Sequence, residues 1–448
     1  PGRRALLASL LRAAEKGNVL LFGNSRKDVE VLASRLRRFQ GETASVFQLF
    51  VHHSSVGKDF REKAEDRLRE GKRIVCCATS SMELGIDIGR IETVFQYGAP
   101  PSVASFVQRA GRSARGADRV AEIEIWCRPF KRRGSFPDLL EPELLQSIAV
   151  AELFREGRLE KRAPATHVTV MIHQILSLVA SKGAGDLSVV FATLAEKGPF
   201  RDWTLATFTA LVHHLVEEMK LLRFLTPEKL VLAAAGEALV NSRDFYAVFE
   251  TPKEWVVRWG TIHVASFSRE LTPKPGTVIF VAGLPWLVEH VHERAATLRV
   301  RPACGGFIPQ FAAPALPDLS SEVVGMMRKV LISQDVIDYV DDTAGSALNT
   351  ARTMAQESHL DSKDVVVHGG ETFWFPWVGG KTLSTILLRL HPFVGAVLYS
   401  PLALGFKKIR GDELKSLVLD AAAKDIDFSE ETDLRAGKLD YLAPRELL

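Results

Sequence analysis

Cysteine, methionine and long apolar runs are scarce in this sequence. It has 448 residues but only 4 cysteines and 6 methionines. The cysteines are Cys76, Cys77, Cys127 and Cys304. No two of them form a C-x-x-C pair, so we expect neither a structural zinc site nor a disulfide framework. No apolar run reaches the roughly 18 residues that a membrane-spanning helix needs, and the opening Pro-Gly-Arg-Arg does not read as a signal peptide. A cytoplasmic protein without a membrane partner is predicted.

Net charge is also small, at +3, but the charge is unevenly distributed. Residues 1–133 contain 25 Lys and Arg against 15 Asp and Glu, a balance of +10, which leaves −7 for the remainder. A basic front segment suits a polyanionic partner such as nucleic acid or nucleotide. Solvated basic helix faces are common, so this charge alone does not decide the function. Because the first residue is not Met, we expect the numbering to begin inside a longer gene product.

Residues 1–130 alternate apolar, strand-like runs with amphipathic helices. The runs are Val19–Phe22, Ile74–Ala78, Thr93–Tyr97 and Glu122–Cys127. The helical segments are Asp28–Phe39, Asp59–Glu70 and Val103–Ala110. This rhythm predicts an α/β domain whose parallel sheet is covered by helices on both faces. Ser25 and Asp28 resemble a capping box that opens the first helix.

The pattern changes twice further along the chain. A basic, proline-containing stretch at 128–137 marks the first boundary. From about Leu139 to Ser242 the sequence is helical and ends in two short apolar runs, the outline of a winged-helix domain, although a generic helical bundle fits equally well. After Asp244, short strands mixed with helices predict a β-rich α+β region. The predicted domains are therefore 1–135, 136–243 and 244–448.

The run Gln108-Arg-Ala-Gly-Arg-Ser-Ala-Arg115 ends a predicted helix that follows a strand. Arg112 and Arg115 are three residues apart, so both can project from one face. Guanidinium groups present fixed forks of donors that match phosphate oxygens, and Gly111 lacks a Cβ and permits close backbone approach. The arrangement suits the stabilisation of charge on a transferring phosphoryl group.

A second polar run, Ala78-Thr-Ser-Ser-Met-Glu-Leu-Gly-Ile-Asp-Ile-Gly89, follows the second apolar strand directly. Ligands bind α/β sheets at the carboxyl ends of their strands. The hydroxyls of Thr79, Ser80 and Ser81 are candidate donors to a nucleic-acid backbone. Asp87 is a candidate acceptor from a ribose hydroxyl, or a residue that orders the nearby arginines. Turn formation accounts equally well for each of these residues taken singly.

Together these runs resemble motifs IV, IVa, V and VI of superfamily 2 helicases, in the family's order and spacing. The first two correspond to Leu20–Arg26 and Val51–Ser54. The sequences of these motifs, particularly H-H-S-S and S-M-E-L-G-I-D-I-G, are similar to those of the Lhr (large helicase-related) family. In that family a second RecA-like domain is followed by a winged helix and a β-rich domain. The resemblance also reaches 276–288, 300–303 and 373–382, and it implies a prokaryotic cytosol or nucleoid.

Two motifs that such a motor needs are not found in this sequence. One is the phosphate-cradling G-x-x-x-x-G-K-[ST] loop, and the other is the acidic D-E-x-H run. Gly379-Gly-Lys-Thr382 lacks the first glycine of that loop, and we interpret it as a strand turn. Family members carry both motifs, and with them the Mg²⁺ ligands, in a first RecA-like domain that we expect in cis or in trans. Gln108, Arg112 and Arg115 are then implied as catalytic residues, and Gly85, Asp87, Gly111, Arg112 and Arg115 as contacts to ATP with Mg²⁺.

The resemblance further implies contacts to a tracking nucleic-acid strand. The candidates on the first domain are Asn24, Ser25, Arg26, His52, His53, Thr79, Ser80 and Ser81. Trp203, Trp259 and Trp286 are candidates for stacking on bases, although tryptophan is more often a core residue. The two histidines equally suit a simple strand end.

The leading hypothesis is an ATP-dependent 3′→5′ DNA helicase or translocase. This chain would supply its arginine fingers and its clamp on single-stranded DNA, tailed duplex DNA or an RNA–DNA hybrid, and would be inactive alone. One alternative is a non-catalytic DNA-binding or regulatory subunit that works with a separate ATPase lobe. The other is an RNA-directed helicase.

Overall fold

The computed structural model describes residues 2–43, 47–71, 73–84, 87–113, 122–128, 134–161, 167–247, 253–270, 272–309, 311, 319–394, 397–407 and 409–423. The chain divides into two compact units, the first drawn from 1–161 and 253–425 and the second from 162–252. Among the described residues, no helix combines the length and apolar composition needed to cross a bilayer.

A five-stranded parallel sheet opens the first unit. Its strands are β1 (Val19–Gly23), β2 (Gln48–His52), β3 (Ile74–Ala78), β4 (Thr93–Tyr97) and β5 (Ile123–Trp126). They lie in the order β2-β3-β1-β4-β5. The accompanying helices are α1 (Gly2–Lys16), α2 (Arg26–Thr43), α3 (Lys58–Glu70) and α4 (Val103–Ala110). The predicted parallel sheet is confirmed, because every pairing within it is parallel.

The sheet forms where it does because its central strands are apolar throughout. All five residues of β1 and of β3 are buried, as expected for strands that are covered on both faces. Cys76 and Cys77 in β3 are packed as small hydrophobic residues, and burial raises the pKa of the Cys76 thiol to about 12. The Ser25 hydroxyl accepts from the Asp28 backbone N–H at 3.0 Å, which confirms the predicted cap of α2.

Two helices, α5 (Phe136–Leu139) and α6 (Pro142–Arg155), continue the first unit. They share a core with helices near the other end of the chain. The structure therefore places 136–161 in the first unit, whereas the sequence boundary at 135 joined these residues to the following domain. The physical reason is long-range packing, since the apolar face of α6 is covered by residues of 319–360.

The second unit is a small mixed domain with its own core. Its elements are α7 (Val168–Lys182), β6 (Gly185–Asp186), α8 (Leu187–Phe191), α9 (Leu205–Glu217), β7 (Leu222–Thr226), β8 (Lys229–Leu232) and α10 (Ala234–Val240). The three strands form an antiparallel sheet in the order β6-β8-β7. The predicted helices and the two predicted short strands are present.

A second five-stranded sheet returns the chain to the first unit. It contains β9 (Glu254–Trp259), β10 (Ile262–Ser268), β11 (Val278–Val281), β12 (Leu284–His292) and β13 (Thr297–Pro302), in the order β10-β9-β13-β12-β11. One face of this sheet packs into the same hydrophobic core as the parallel sheet. Trp255, Val257 and Leu298 are buried in that shared core beside Leu21 and Val51.

The last layer joins helices to a four-stranded sheet. The helices are α11 (Ser321–Ile332), α12 (Asp342–Glu357), α13 (Gly380–Val394) and α14 (Gly411–Ala423). The strands are β14 (Val365–His368), β15 (Glu371–Trp374), β16 (Val397–Tyr399) and β17 (Leu404–Lys407), in the order β14-β15-β17-β16. The predicted mixture of strands and helices after residue 244 is therefore present.

The interpretation of Gly379-Gly-Lys-Thr382 as a strand turn is wrong, because Gly380 is the first residue of helix α13. Gly379 lies against the start of α11, where its N–H donates to the Ser321 hydroxyl at 3.1 Å. A Cβ at position 379 would lie 2.9 Å from the Leu319 carbonyl oxygen. Close packing of two helix starts therefore explains that glycine.

Candidate functional site

A buried arginine connects the carboxyl ends of three central strands. Arg109, at the end of α4, is 2% exposed. Its Nε donates to a Glu83 carboxylate oxygen at 2.7 Å, and its Nη1 donates to the side-chain oxygens of Asn24, at 3.2 Å, and Gln96. Its guanidinium carbon also lies 5.1 Å from the centre of the Phe22 ring. One side chain thus joins residues that follow β1 and β3 to β4 itself.

The environment of Arg109 keeps its charge compensated. Burial lowers the pKa of Arg109, and the charge of Glu83 and its hydrogen bond oppose that shift. Glu83 also accepts a hydrogen bond from the Ser105 hydroxyl at 2.8 Å. A buried guanidinium remains charged and must be paired. The Glu83 carboxylate therefore fixes the end of α4 against the loop after β3.

Arg112 lies one helical turn beyond, and its guanidinium is bound by the same residue. Its Nη2 donates to the Glu83 carbonyl oxygen at 2.6 Å and its Nε at 3.1 Å. The residue is 6% exposed. Glu83 thus holds Arg109 through its side chain and Arg112 through its backbone. The predicted finger is fixed at the edge of the parallel sheet and has only a small exposed area.

The remaining described residues that were predicted to contact ATP are more exposed than Arg109 and Arg112. Gln108 is half-buried on α4, and Gly111, just past the helix, is exposed. Asp87 is exposed, and its backbone carbonyl accepts from Arg69 at 3.1 Å. Gly85 and Arg115 lie outside the described residues. The structure therefore brings Arg112 and Gln108 together on one helix end, and their proposed contact with ATP stays a prediction.

His52, at the end of β2, uses both ring nitrogens inside the chain. It is 1% exposed, its Nδ1 lies 2.8 Å from the Ser81 hydroxyl, and its Nε2 lies 2.9 Å from a Glu65 carboxylate oxygen. The Ser81 hydroxyl oxygen also lies 3.0 Å from the His52 carbonyl oxygen. The side chains of His52 and Ser81 were both predicted to contact a nucleic-acid backbone, and that prediction does not fit their hydrogen bonds within the chain.

The environment of His52 predicts a loss of stability in acid. Burial lowers its pKa and outweighs Glu65, which raises it, while Arg61 and His53 also lower it. Protonation therefore favours the unfolded chain: the neutral ring stabilises the fold fully above about pH 6.5, and this contribution is lost as the pH falls through the lower folded-state pKa. Between pH 7 and pH 5 the chain should lose up to about 1.4 kcal/mol per pH unit more than a His52→Gln variant. Urea unfolding at both pH values measures this, and equal losses in the two proteins would contradict it.

His53 belongs to the connection between the two five-stranded sheets. It is fully buried, and its Nε2 lies 3.1 Å from an oxygen of Glu30, which is also fully buried. The two Glu30 oxygens accept the backbone N–H groups of Ala282, at 2.6 Å, and Gly283, at 2.9 Å. Both residues have positive φ, at +54° and +73°, so they form the tight turn between β11 and β12. A role for His53 at a phosphate is therefore wrong, because the ring has no exposed surface.

The rest of the H-H-S-S run also contacts the second sheet. The Ser55 hydroxyl accepts from Arg26 at 2.7 Å, and the Ser55 carbonyl accepts from Ser266 at 2.8 Å. Gly57 donates to the Val264 carbonyl at 2.8 Å, and a Cβ on Gly57 would lie 1.8 Å from the His263 carbonyl oxygen. Glycine is required there by the close approach of two backbones. This motif therefore fastens the second sheet to the first.

The other residues predicted to contact nucleic acid are of two kinds: those whose side chains are bonded or buried inside the fold, and those that are exposed. Asn24, Ser25 and Arg26 make internal hydrogen bonds, and Arg26 additionally pairs with Glu254 at 3.3 Å. Trp203 is 6% exposed within the core of the second unit, which contradicts a stacking role.

Trp286 is likewise buried, at 2% exposure, and its indole N–H donates to the Val281 carbonyl oxygen. In contrast, Ser80 is exposed, Thr79 is half-buried and Trp259 is 43% exposed. These three residues keep the surface that a contact to nucleic acid needs.

Sequence reasoning missed Glu83, Arg109, Gln96 and Glu30. Glu83 and Arg109 lie inside the quoted motifs, but the spacing argument favoured the arginines at 112 and 115. The one signal for Glu83 was its place in a motif next to an arginine-rich one, because a carboxylate that becomes buried needs a cation as its partner. No local pattern marks Glu30, whose partners lie about 250 residues away.

Comparisons with known proteins extend this picture. The family described as "Helicase conserved C-terminal domain" matches residues 2–117. An ATP-dependent helicase Lhr-Core of Methanocaldococcus jannaschii is 26% identical over 202 residues, which are 45% of this chain and 22% of that protein. The Lhr helicase/probable uracil glycosylase of Mycolicibacterium smegmatis is 25% identical over 332 residues, which are 62% of this chain and 21% of that protein. The chain spans about a fifth of the length of these relatives.

A solved structure is also similar. The Mycobacterium smegmatis helicase Lhr, determined with single-stranded DNA and AMP-PNP bound, superposes with a TM-score of 0.59 at 19% identity, over 93% of this chain and 55% of that chain. A likeness at this identity concerns the fold. The five-stranded parallel sheet fits a RecA-like domain.

Proposed function

This chain belongs to the Lhr-type superfamily 2 helicases, and we propose that it forms the second motor lobe and nucleic-acid clamp of an ATP-driven 3′→5′ DNA helicase. The observation that carries the proposal is the cluster at the carboxyl edge of the parallel sheet. There Glu83 holds both Arg109 and Arg112, and Asn24 and Gln96 complete the contacts. That edge is where α/β sheets bind ligands.

In this proposal Arg112 and Arg115 stabilise the charge that develops on the transferring phosphoryl group of ATP. Guanidinium forks suit that task because they donate two hydrogen bonds to phosphate oxygens in a fixed geometry. Gln108 and Asp87 lie on the two motifs that border the site and are assigned to nucleotide contact. ATP itself is held by a P-loop on another lobe, in the same polypeptide or in a partner.

Mg²⁺ belongs to that other lobe in the proposal. The part of this chain that the structure describes contains no cluster of three or more His, Cys, Asp or Glu arranged to hold a metal ion. A Mg²⁺ ion bound with ATP would need one or two carboxylates in addition to phosphate oxygens, and the proposal assigns those carboxylates to the other lobe. The proposed contribution of this chain is positive charge.

The strand-tracking role is assigned to the exposed hydroxyls after β3 and to the two later domains. Ser80 and Thr79 retain accessible surface beside the nucleotide edge, which suits coupling between hydrolysis and strand movement. Trp259 retains 43% of its surface for stacking on a base. The second unit, in the order helix, strand, two helices, two strands, supports the winged-helix assignment. The remaining part of the first unit corresponds to the β-rich domain.

The test is ATP-driven strand separation by this chain together with the lobe that carries the P-loop. We expect unwinding of a duplex with a 3′ single-stranded tail, little unwinding with a 5′ tail, and none without ATP. Stimulation of ATP hydrolysis by single-stranded DNA, compared with RNA of the same sequence, separates the DNA helicase from an RNA-directed enzyme. Binding of DNA without stimulated hydrolysis would replace the proposal with a non-catalytic binding subunit.

A further inference from the structure

One face of the second five-stranded sheet is buried in the shared core, and the opposite face is exposed along β12 and β13 and at Arg258 of β9, but is covered at Ser266 and Ser268 of β10. Trp255, Val257, Val288, Leu298 and Val300 point into the core that this sheet shares with the parallel sheet. Side chains alternate between the two faces of a strand, so the residues between them point away from that core. The outward residues of β9 and β13 include Arg258 and Arg299, and both are exposed.

The strand register places four basic or titratable side chains in one row across this open face. His290 of β12 pairs with Arg299 of β13, and Arg299 pairs with Arg258 of β9. Arg258 in turn pairs with His263 of β10. Neighbouring strands lie roughly 4.8 Å apart, so the row runs about 14 Å across four strands. We name His263, Arg258, Arg299 and His290 the basic row.

The two arginines of the basic row lack an acidic partner among the described residues. Arg258 donates to the Thr261 carbonyl oxygen at 3.1 Å, and no carboxylate lies within ion-pair distance of Arg258 or Arg299 there. Arg301, two positions along β13, does have such a partner, Glu289 at 3.3 Å. Like charges directly opposite each other on adjacent strands destabilise a sheet. An anion laid across the row would remove that repulsion.

The shape and composition of the face select the kind of anion. The row crosses an open sheet, so it suits a polymer with repeated charges. Its neighbours on the same face are Val256, Thr297 and His292 on one side and Leu287 and Arg301 on the other. None of these is Phe, Tyr or Trp, the residues on which unpaired bases most often stack. A duplex presents its phosphates outward and keeps its bases paired, so it matches a face that offers cations without stacking platforms.

We propose that the basic row is a binding site for the phosphate backbone of duplex nucleic acid, on the face of the second sheet that points away from the shared core. The two guanidinium forks hold phosphate oxygens, and the two imidazoles extend the contact along the row. The inference deepens the proposed function, because it assigns the duplex part of a tailed substrate to a named surface. It rests on that function for the choice of nucleic acid as the partner.

The experiment measures equilibrium binding without ATP, by fluorescence anisotropy, of a blunt DNA duplex and of a single strand of equal length. The variant is Arg258→Gln together with Arg299→Gln, which removes two exposed charges and preserves side-chain size. We expect duplex affinity to fall roughly tenfold or more, and the salt dependence of log K to fall by about 2. Single-strand affinity should stay within about twofold.

The matched control is Lys363→Gln with Lys415→Gln, two exposed lysines on other elements, which makes the same change in net charge. Equal losses in the control and the variant, equal losses of duplex and single-strand binding, or a chain that binds no duplex would each overturn the proposal. A melting temperature no lower than that of the unmodified chain confirms that the variant is folded. Because ATP is absent, the outcome is independent of whether the motor hydrolyses ATP or unwinds DNA.

Discussion

Replacement of Arg112 with alanine is expected to lower nucleic-acid-stimulated ATP hydrolysis about 10³- to 10⁵-fold in the assembled motor, the loss typical of a missing arginine finger. The structure fixes the side chain at the edge of the parallel sheet through two hydrogen bonds to the Glu83 carbonyl. Such an anchor preorganises the guanidinium, which reduces the entropy lost when it meets a phosphate. Steady-state turnover with saturating single-stranded DNA measures the effect.

Two companion variants separate an effect on catalysis from an effect on folding in that experiment. Arg112→Lys keeps the charge but loses the planar fork, so it should recover only part of the rate. Arg90→Ala removes an exposed arginine that is paired with Glu92 at 3.5 Å, and it should leave turnover unchanged. Arg112→Ala, Arg112→Lys and Arg90→Ala should all retain the binding of single-stranded DNA. Turnover of Arg112→Ala within a few-fold of the unmodified motor would remove this residue from the active site.

Replacement of Glu30 with alanine is expected to destabilise the first unit by about 3–5 kcal/mol. The reason is the number of buried groups that lose their partner together: the His53 ring and the N–H groups of Ala282 and Gly283. Each buried donor left without an acceptor costs about 1–3 kcal/mol. Urea unfolding of the complete chain, followed by tryptophan fluorescence, measures the change, because Trp255 and Trp286 lie in the shared core.

Glu62→Ala supplies the matched control for Glu30→Ala. Glu62 lies on helix α3, is more than half exposed and pairs with Lys58 at 3.5 Å. An exposed pair at this spacing contributes only about 0.3–0.5 kcal/mol. A loss for Glu30→Ala no larger than that of the control would show that the carboxyl group does not hold the two sheets together.

Local patterns were sufficient to predict four of the five strands of the parallel sheet and the helices α2, α3 and α4, but strand β2 and helix α1 were not predicted. Strands β3 and β4 and helix α4 begin and end at the predicted residues, because continuous apolar runs between polar turns leave few alternatives. The Ser25 cap was equally local, since its hydroxyl bonds a residue three positions away. In contrast, the packing of the second sheet against the first depends on contacts across more than 200 residues, for which the sequence has no local pattern.

The candidate site was predictable in chemistry but less so in geometry. The quoted motifs located Arg112 and the loop after β3 correctly at one sheet edge. They did not reveal that Arg109 and Glu83 form the buried centre of the cluster, because burial depends on what packs above a residue. The same limit explains His52, His53 and Trp203, whose residue types suit nucleic-acid contact but whose side chains are covered by the fold.

The hydrophobic core that the two five-stranded sheets share determines where the chain can be truncated without exposing apolar surface. A fragment cut after residue 161 would leave Val51 and Val56 without the residues of 253–311 that cover them, and would expose the buried carboxyl group of Glu30. The match to the helicase C-terminal domain family ends at residue 117, which also lies inside the first unit. Expression designs that treat the first sheet as a portable module should therefore give aggregation-prone material, whereas those that retain 253–311 keep the apolar surface covered.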